Sequence, residues 1–199
     1  MDNQDNTNNI KFFLENVLIN DPLGYPKPVE DRLEVFRRNR ISRPIIYIGI
    51  SSSSVCAGVL RVKGTIEEYI AENQLEIELV VIGSLGLCSD EPLIDIHIPG
   101  KNRIVFRKVT PNDIQPILDG VLNKYVPLEM ALGQYRHKFH EPWQDVPFLD
   151  EIPFFKEQNR VILSNCGVID PNNIFDYMSR GGYRALAKAI RNHTYEDIC

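Results

Sequence analysis

Long apolar runs, clustered cysteines and an excess of positive charge are all missing from this chain of 199 residues. No stretch of about 18 apolar residues occurs, which excludes a membrane-spanning helix. The net charge of -5 and a pI near 5.4 lack the basic footprint of a nucleic-acid surface. Met1 to Asn9 is polar and faintly acidic, without the basic start and apolar middle of a secretory signal. A soluble, cytoplasmic chain is the expectation. Cys56, Cys88, Cys166 and Cys199 are far apart and form no CxxC, which argues for reduced thiols, some buried, and not for a disulfide framework. No GxGxxG or other glycine-rich phosphate cradle occurs either.

What is present is ordinary globular composition, 43% hydrophobic and 25% charged, enough for one domain and an extension. Residues 1–9 read as a disordered tail. Ile10, Phe13, Leu14, Val17 and Leu18 keep a helical period, which the prolines between Asp21 and Pro28 end. Val29 to Arg40 reads as an amphipathic helix with Leu33 and Phe36 inward. Its basic last turn suits a helix C-terminus better than a polyanion site.

From Pro44 the pattern tightens. Ile45 to Ile50 and Leu79 to Ile82 are buried strands. Ser51 to Ser54 forms a turn able to cap a helix over Val55 to Gln74, with a kink near Gly64. Leu93 to Ile98 alternates Ile94, Ile96 and Ile98 with Asp95 and His97, which places His97 outward. Pro99 to Asn102 is a hairpin turn, and Arg103 to Arg107 the returning strand. Thr110-Pro111 opens a helix carrying Ile114, Ile117, Leu118, Val121 and Leu122. This order predicts an α/β, thioredoxin-like fold: a four-stranded mixed sheet with helices, and a C-terminal irregular and helical extension. Three regions are expected: a tail with helices over 1–43, the sheet domain over 44–124, and a linker with helices over 125–199. Within the last, 160–163 reads as a short strand. Tyr183 to Ile190 reads as a helix with Leu186, Ala189 and Ile190 inward.

Arg160-Val161-Ile162-Leu163-Ser164-Asn165-Cys166-Gly167-Val168-Ile169-Asp170-Pro171 and Tyr177-Met178-Ser179-Arg180-Gly181-Gly182-Tyr183-Arg184-Ala185-Leu186-Ala187-Lys188-Ala189-Ile190 resemble the lead-in to the flavin-binding module of one family. It is the NADH-oxidising flavoprotein subunit of complex I, NAD-reducing hydrogenases and NAD-linked formate dehydrogenases. Tyr135-Arg136, Trp143 and Pro153 to Gln158 resemble that family's linker. The unit from Pro44 to Lys124 takes the place of its thioredoxin-like [2Fe-2S] ferredoxin domain. The resemblance implies an N-terminal piece or a shortened relative, not active alone. FMN, NADH and [4Fe-4S] binding are expected only in longer members. It also implies that Cys166 packs below the flavin module in those members.

In ferredoxins of that type two cysteines flank the turn after the first strand, and a Cys-x3-Cys follows the second. Here Gly83-Ser84-Leu85-Gly86-Leu87-Cys88 keeps the spacing with Ser84 at the first position, and Gly49 to Cys56 carries serines where ligands belong. The candidate metal positions are therefore Cys88, Cys56, Ser84 and Ser53. Serine must lose a proton to bind iron well and is harder than thiolate, so a ferredoxin fold without its cofactor is expected. A Cys56–Cys88 metal site or disulfide stays open beside two buried free thiols. His137-Lys138-Phe139-His140-Glu141 reads as an irregular linker, not a zinc motif. Asp90-Glu91 and Glu67-Glu68 are acidic pairs without opposed geometry. No catalytic residue is assigned.

The functional expectation is an accessory or docking module that meets other subunits of a redox complex and is able to self-associate. The alternatives are a [2Fe-2S] electron carrier with mixed Cys and Ser ligands, and a thioredoxin-like binding module unrelated to redox complexes.

Overall fold

The computed structural model describes residues 3–20 and 24–199. They form two compact units, one of Ile41–Asp170 and one of Met1–Arg40 with Pro171–Cys199. In the second of these, α1 spans Asn3–Phe12 and continues as a π-helical turn over Phe13–Val17. The polar start expected to be a tail is thus helical from Asn3. The proline-rich stop begins outside the described residues. α2 spans Lys27–Phe36, with Pro28 in its first turn, where a missing N–H leaves no bond unmade.

The unit of residues 41–170 is built on a five-stranded sheet. β1 (Ile45–Gly49) leads to α3 (Ser52–Cys56) and α4 (Val59–Glu72). The break between these helices falls at Gly58, not near Gly64. Gly58 has φ 97, a left-handed conformation that glycine adopts without steric cost. β2 (Glu78–Ile82), β3 (Ile94–His97) and β4 (Ile104–Phe106) follow, then α5 (Ile114–Leu122), β5 (Ala131–Gln134) and the short α6 (Pro153–Lys156). The strand order is β2-β1-β3-β4-β5. β1 and β2 are parallel, and β3 is antiparallel to both β1 and β4. That is the thioredoxin-like arrangement, extended by β5 antiparallel to β4, so the sheet has five strands where four were expected.

Both sheet faces are covered. Ile46, Ile48, Ile94, Ile96, Ile104 and Phe106 pack with α4 and α5 residues such as Val62, Ile66, Ile117 and Val121. On the other face Leu85, Leu93, Val105, Leu132 and Leu149 cluster. The expected outward position of His97 is therefore wrong. His97 and Asp95 are only 4% and 2% exposed, because the chain beyond β5 covers the face they occupy. Residues 160–163 are coil, bend and turn instead of a strand, with Ile162 exposed. A β-branched run forms no strand without a partner edge.

Trp143 is buried and its indole N–H donates to the Asn102 carbonyl at 2.7 Å. The Gln134 side chain donates to the carbonyls of Trp143 and Val146 and accepts from the Trp143 N–H and Asn102 Nδ2. One buried amide thereby fixes the strap that follows β5.

In the other unit α7 (Ile174–Ser179), α8 (Arg184–Asn192) and α9 (Tyr195–Ile198) complete the chain. Phe12, Phe13, Val17, Leu33, Phe175 and Met178 make its core. The basic end of α2 is neutralised: Arg38 pairs with Asp176, Arg37 with Glu30 and Glu34, and Arg40 with Asp31. Leu186 and Ile190, expected inward, are exposed, because the aromatic cluster already fills this small core.

Candidate functional site

β1 and β2 run parallel, so the loops after Gly49 and Ile82 emerge at one end of the sheet. There the serines of the first loop are engaged locally. Ser51 caps α3 by accepting from the Ser54 N–H at 3.2 Å, and Ser54 Oγ accepts from the Ser51 N–H at 2.8 Å. These bonds satisfy orphan donors of the helix start. Ser53 turns the other way: its hydroxyl donates to Cys88 Sγ at 3.5 Å and lies 3.0 Å from Ser51 Oγ.

In the second loop, Ser84 donates to Glu91 Oε1 at 2.7 Å and accepts from the Gly86 N–H. Ser51 Oγ donates to the same carboxylate oxygen at 3.4 Å. Ser84, Glu91, Ser51, Ser53 and Cys88 thus form one continuous polar chain across both loops. Glu91 is buried, and its Oε2 has no hydrogen-bond partner. Three of the four candidate metal positions, Ser53, Ser84 and Cys88, are brought together. Cys56 ends α3, three residues beyond Ser53. None of the four cysteines is in a disulfide and all are exposed, so the expectation of buried thiols is corrected: they sit on loops, short helices and the last residue, outside the packed layers.

The resemblance implies a [2Fe-2S] centre at this sheet end, which needs four thiolates. The donor set assembled here is one thiol, several hydroxyls and a carboxylate that already receives two of their protons. Among the described residues no three His, Cys, Asp or Glu side chains are placed to hold a metal ion. These residues do not fit the four-thiolate group.

Glu91 is the member of this network that the sequence did not reveal beyond an acidic pair. Its only local signal is a carboxylate between a serine-bearing turn and a proline. A second unforeseen element supports the loop from below. Arg103 pairs with Asp95 through Nε at 2.7 Å and lies over the Tyr47 ring at 3.6 Å. It also donates to the carbonyls of Gly167 and Val168 at 3.0 and 3.1 Å. Burial pulls the Arg103 pKa down, and the adjacent Asp95 charge more than offsets this, leaving it above the ordinary value. Gly167 has φ 73, and a Cβ there would meet Leu85 Cδ2 at 2.7 Å. The Asn165–Pro171 motif thereby seats its glycine against the loop that carries Ser84 and Cys88.

The chain is 27% identical over 101 residues to the NADP-reducing hydrogenase subunit HndB of Solidesulfovibrio fructosivorans, covering 49% of this chain and 80% of that subunit. That match bears out the resemblance read from the sequence. A thioredoxin-like [2Fe-2S] ferredoxin from Aquifex aeolicus is similar at 16% identity and a TM-score of 0.41, over 49% of this chain and 96% of that one. A cysteine-to-serine variant of the same ferredoxin is similar at 16% identity and a TM-score of 0.40, over 45% and 98%. No family model matches the chain. No helix among the described residues is long and apolar enough to cross a membrane.

Proposed function

We propose that this chain is an accessory docking module of a multi-subunit redox complex, in which the ferredoxin-type sheet domain is kept without its cluster. The similarity to a hydrogenase subunit supports the setting, and the loop geometry carries the reading. At the sheet end where four thiolates are required, Cys88 is joined by hydroxyls whose protons are directed at Glu91 and at Cys88 itself. A thiolate site needs ligands that have lost their protons, whereas this network is satisfied by keeping them. The work left to such a domain is to present its surface to neighbouring subunits.

Two measurements test this. Protein purified without oxygen is assayed for iron and acid-labile sulfide per chain, and an affinity-tagged copy is used to capture a flavoprotein or hydrogenase partner. An iron-free, folded chain that co-purifies with such a partner in fixed ratio supports the reading. Folding without any such partner favours a binding module unconnected with redox complexes. The Ser53–Cys88 contact is the observation that favours an electron carrier with mixed ligands, and iron content decides between the two.

A further inference from the structure

Three of the chain's four histidines gather in the unit of residues 41–170. His97 ends β3, opposite Ile45 of β1. It is buried, and its Nε2 has no hydrogen-bond partner. The His140 ring lies 5.0 Å from it, and the His137 ring stacks on His140 at 4.1 Å. His137 Nδ1 accepts from the Phe139 N–H at 3.3 Å. His137 and His140 are half-buried, so the rings run as a column from the interior to the surface.

The charges facing this column are mostly positive or already paired. Asp95, two residues before His97, is held by Arg103, which immediately precedes β4. Glu141 on the strap is held by Lys101 of the hairpin turn, and the Lys124 charge also acts on it. Lys138 follows His137 in sequence, and its Nζ lies over the Phe139 ring. Burial, and then the charges of His140, Arg103 and His137, push the His97 pKa down to about 3. Among the described residues no three such side chains are placed to hold a metal ion.

We propose that the His97–His140–His137 column is an acid-sensitive latch. At neutral pH the uncharged His97 ring packs with those of His140 and His137, and the column holds the strap of residues 135–146 against the β3–β4 hairpin. An imidazole titrates near pH 6.5 once it reaches water, and three like charges at these separations repel. As pH falls, lifting the strap lets all three rings charge in water, whereas the closed strap keeps His97 from doing so. The sheet and its helices stay folded.

Trp143, the chain's one tryptophan, lies on this strap and is buried against the hairpin. Its accessibility to acrylamide, measured on the full chain from pH 7.5 to pH 4.5 beside far-ultraviolet circular dichroism, reads the latch. The expected result is a reversible rise in quenching, centred between about pH 6.5 and 5, with the circular dichroism unchanged. In His140→Gln the rise moves to lower pH and becomes shallower. In His97→Phe/His140→Gln it is absent down to about pH 4.5. If His97→Phe does not fold, His137→Gln/His140→Gln, at half-buried positions, carries the test. Quenching that stays flat in the wild type, an unchanged transition in the histidine variants, or simultaneous loss of circular dichroism would each overturn the latch.

Discussion

Ser84 directs its hydroxyl proton to Oε1 of the buried Glu91 at 2.7 Å. This single bond joins the position where a cluster ligand was expected to a carboxylate that no sequence motif marks. It closes the loop after β2 on itself and links it, through Ser51, to the start of α3.

Removing that carboxylate leaves the Ser84 and Ser51 hydroxyls without their acceptor. Glu91→Ala is expected to lower stability by about 1–3 kcal/mol, and Glu91→Gln, which keeps an acceptor oxygen, by less. Urea unfolding of the two variants beside the wild type checks this. Equal loss in both would show that charge, not hydrogen bonding, matters here.

The Asp95–Arg103 pair is buried, with side-chain exposures of 2% and 10%. Asp95→Ala strands a guanidinium inside the unit and is expected to cost about 3–5 kcal/mol. The exposed Arg136–Asp150 pair is the contrast: Asp150→Ala should leave the urea midpoint nearly unchanged.

Gly167 combines a left-handed φ with close approach to Leu85. Gly167→Ala is expected to destabilise the chain by more than about 1 kcal/mol and to speed hydrogen exchange around Leu85 and Cys88. Normal exchange in that loop would show that the motif does not support it.

His97 also sets a pH dependence. Its folded pKa, lowered to about 3 chiefly by burial, lies below the unfolded value. The unfolded chain therefore binds more protons between the two values. Stability from neutral His97 is complete above about pH 6.5 and is lost as pH falls toward the folded value; a strap held closed would lose about 2 kcal/mol at pH 5, and opening of the strap limits the loss to less. Urea midpoints at pH 7.5 and 5 should differ more in the wild type than in His97→Phe.

Much of the sheet was legible because β1 to β4 are β-branched runs with buried faces, and α5 carries a clear helical period behind Pro111. β5 was not legible. Ala131-Leu132-Gly133-Gln134 has no β-branched residue, and its pairing with β4 is a long-range event. The alternation of Asp95 and His97 with isoleucines read as a solvated face, because nothing local announces that the chain after β5 covers it. At the loop cluster, the serines and Cys88 were legible through the resemblance to thioredoxin-like ferredoxins, whose ligand positions they match. Glu91 and Arg103 were not, since their roles come from burial and partners distant in sequence.

The loop network around Glu91 occupies the sheet end at which a [2Fe-2S] cluster would need thiolates. The most direct test is iron and acid-labile sulfide per chain, with a visible spectrum, on protein purified anaerobically. The expected result is a folded, colourless chain with iron far below stoichiometric. About two irons per chain, with the absorption bands of a [2Fe-2S] centre, would contradict it and make Cys88, Cys56, Ser53 and Ser84 ligands to be tested one by one.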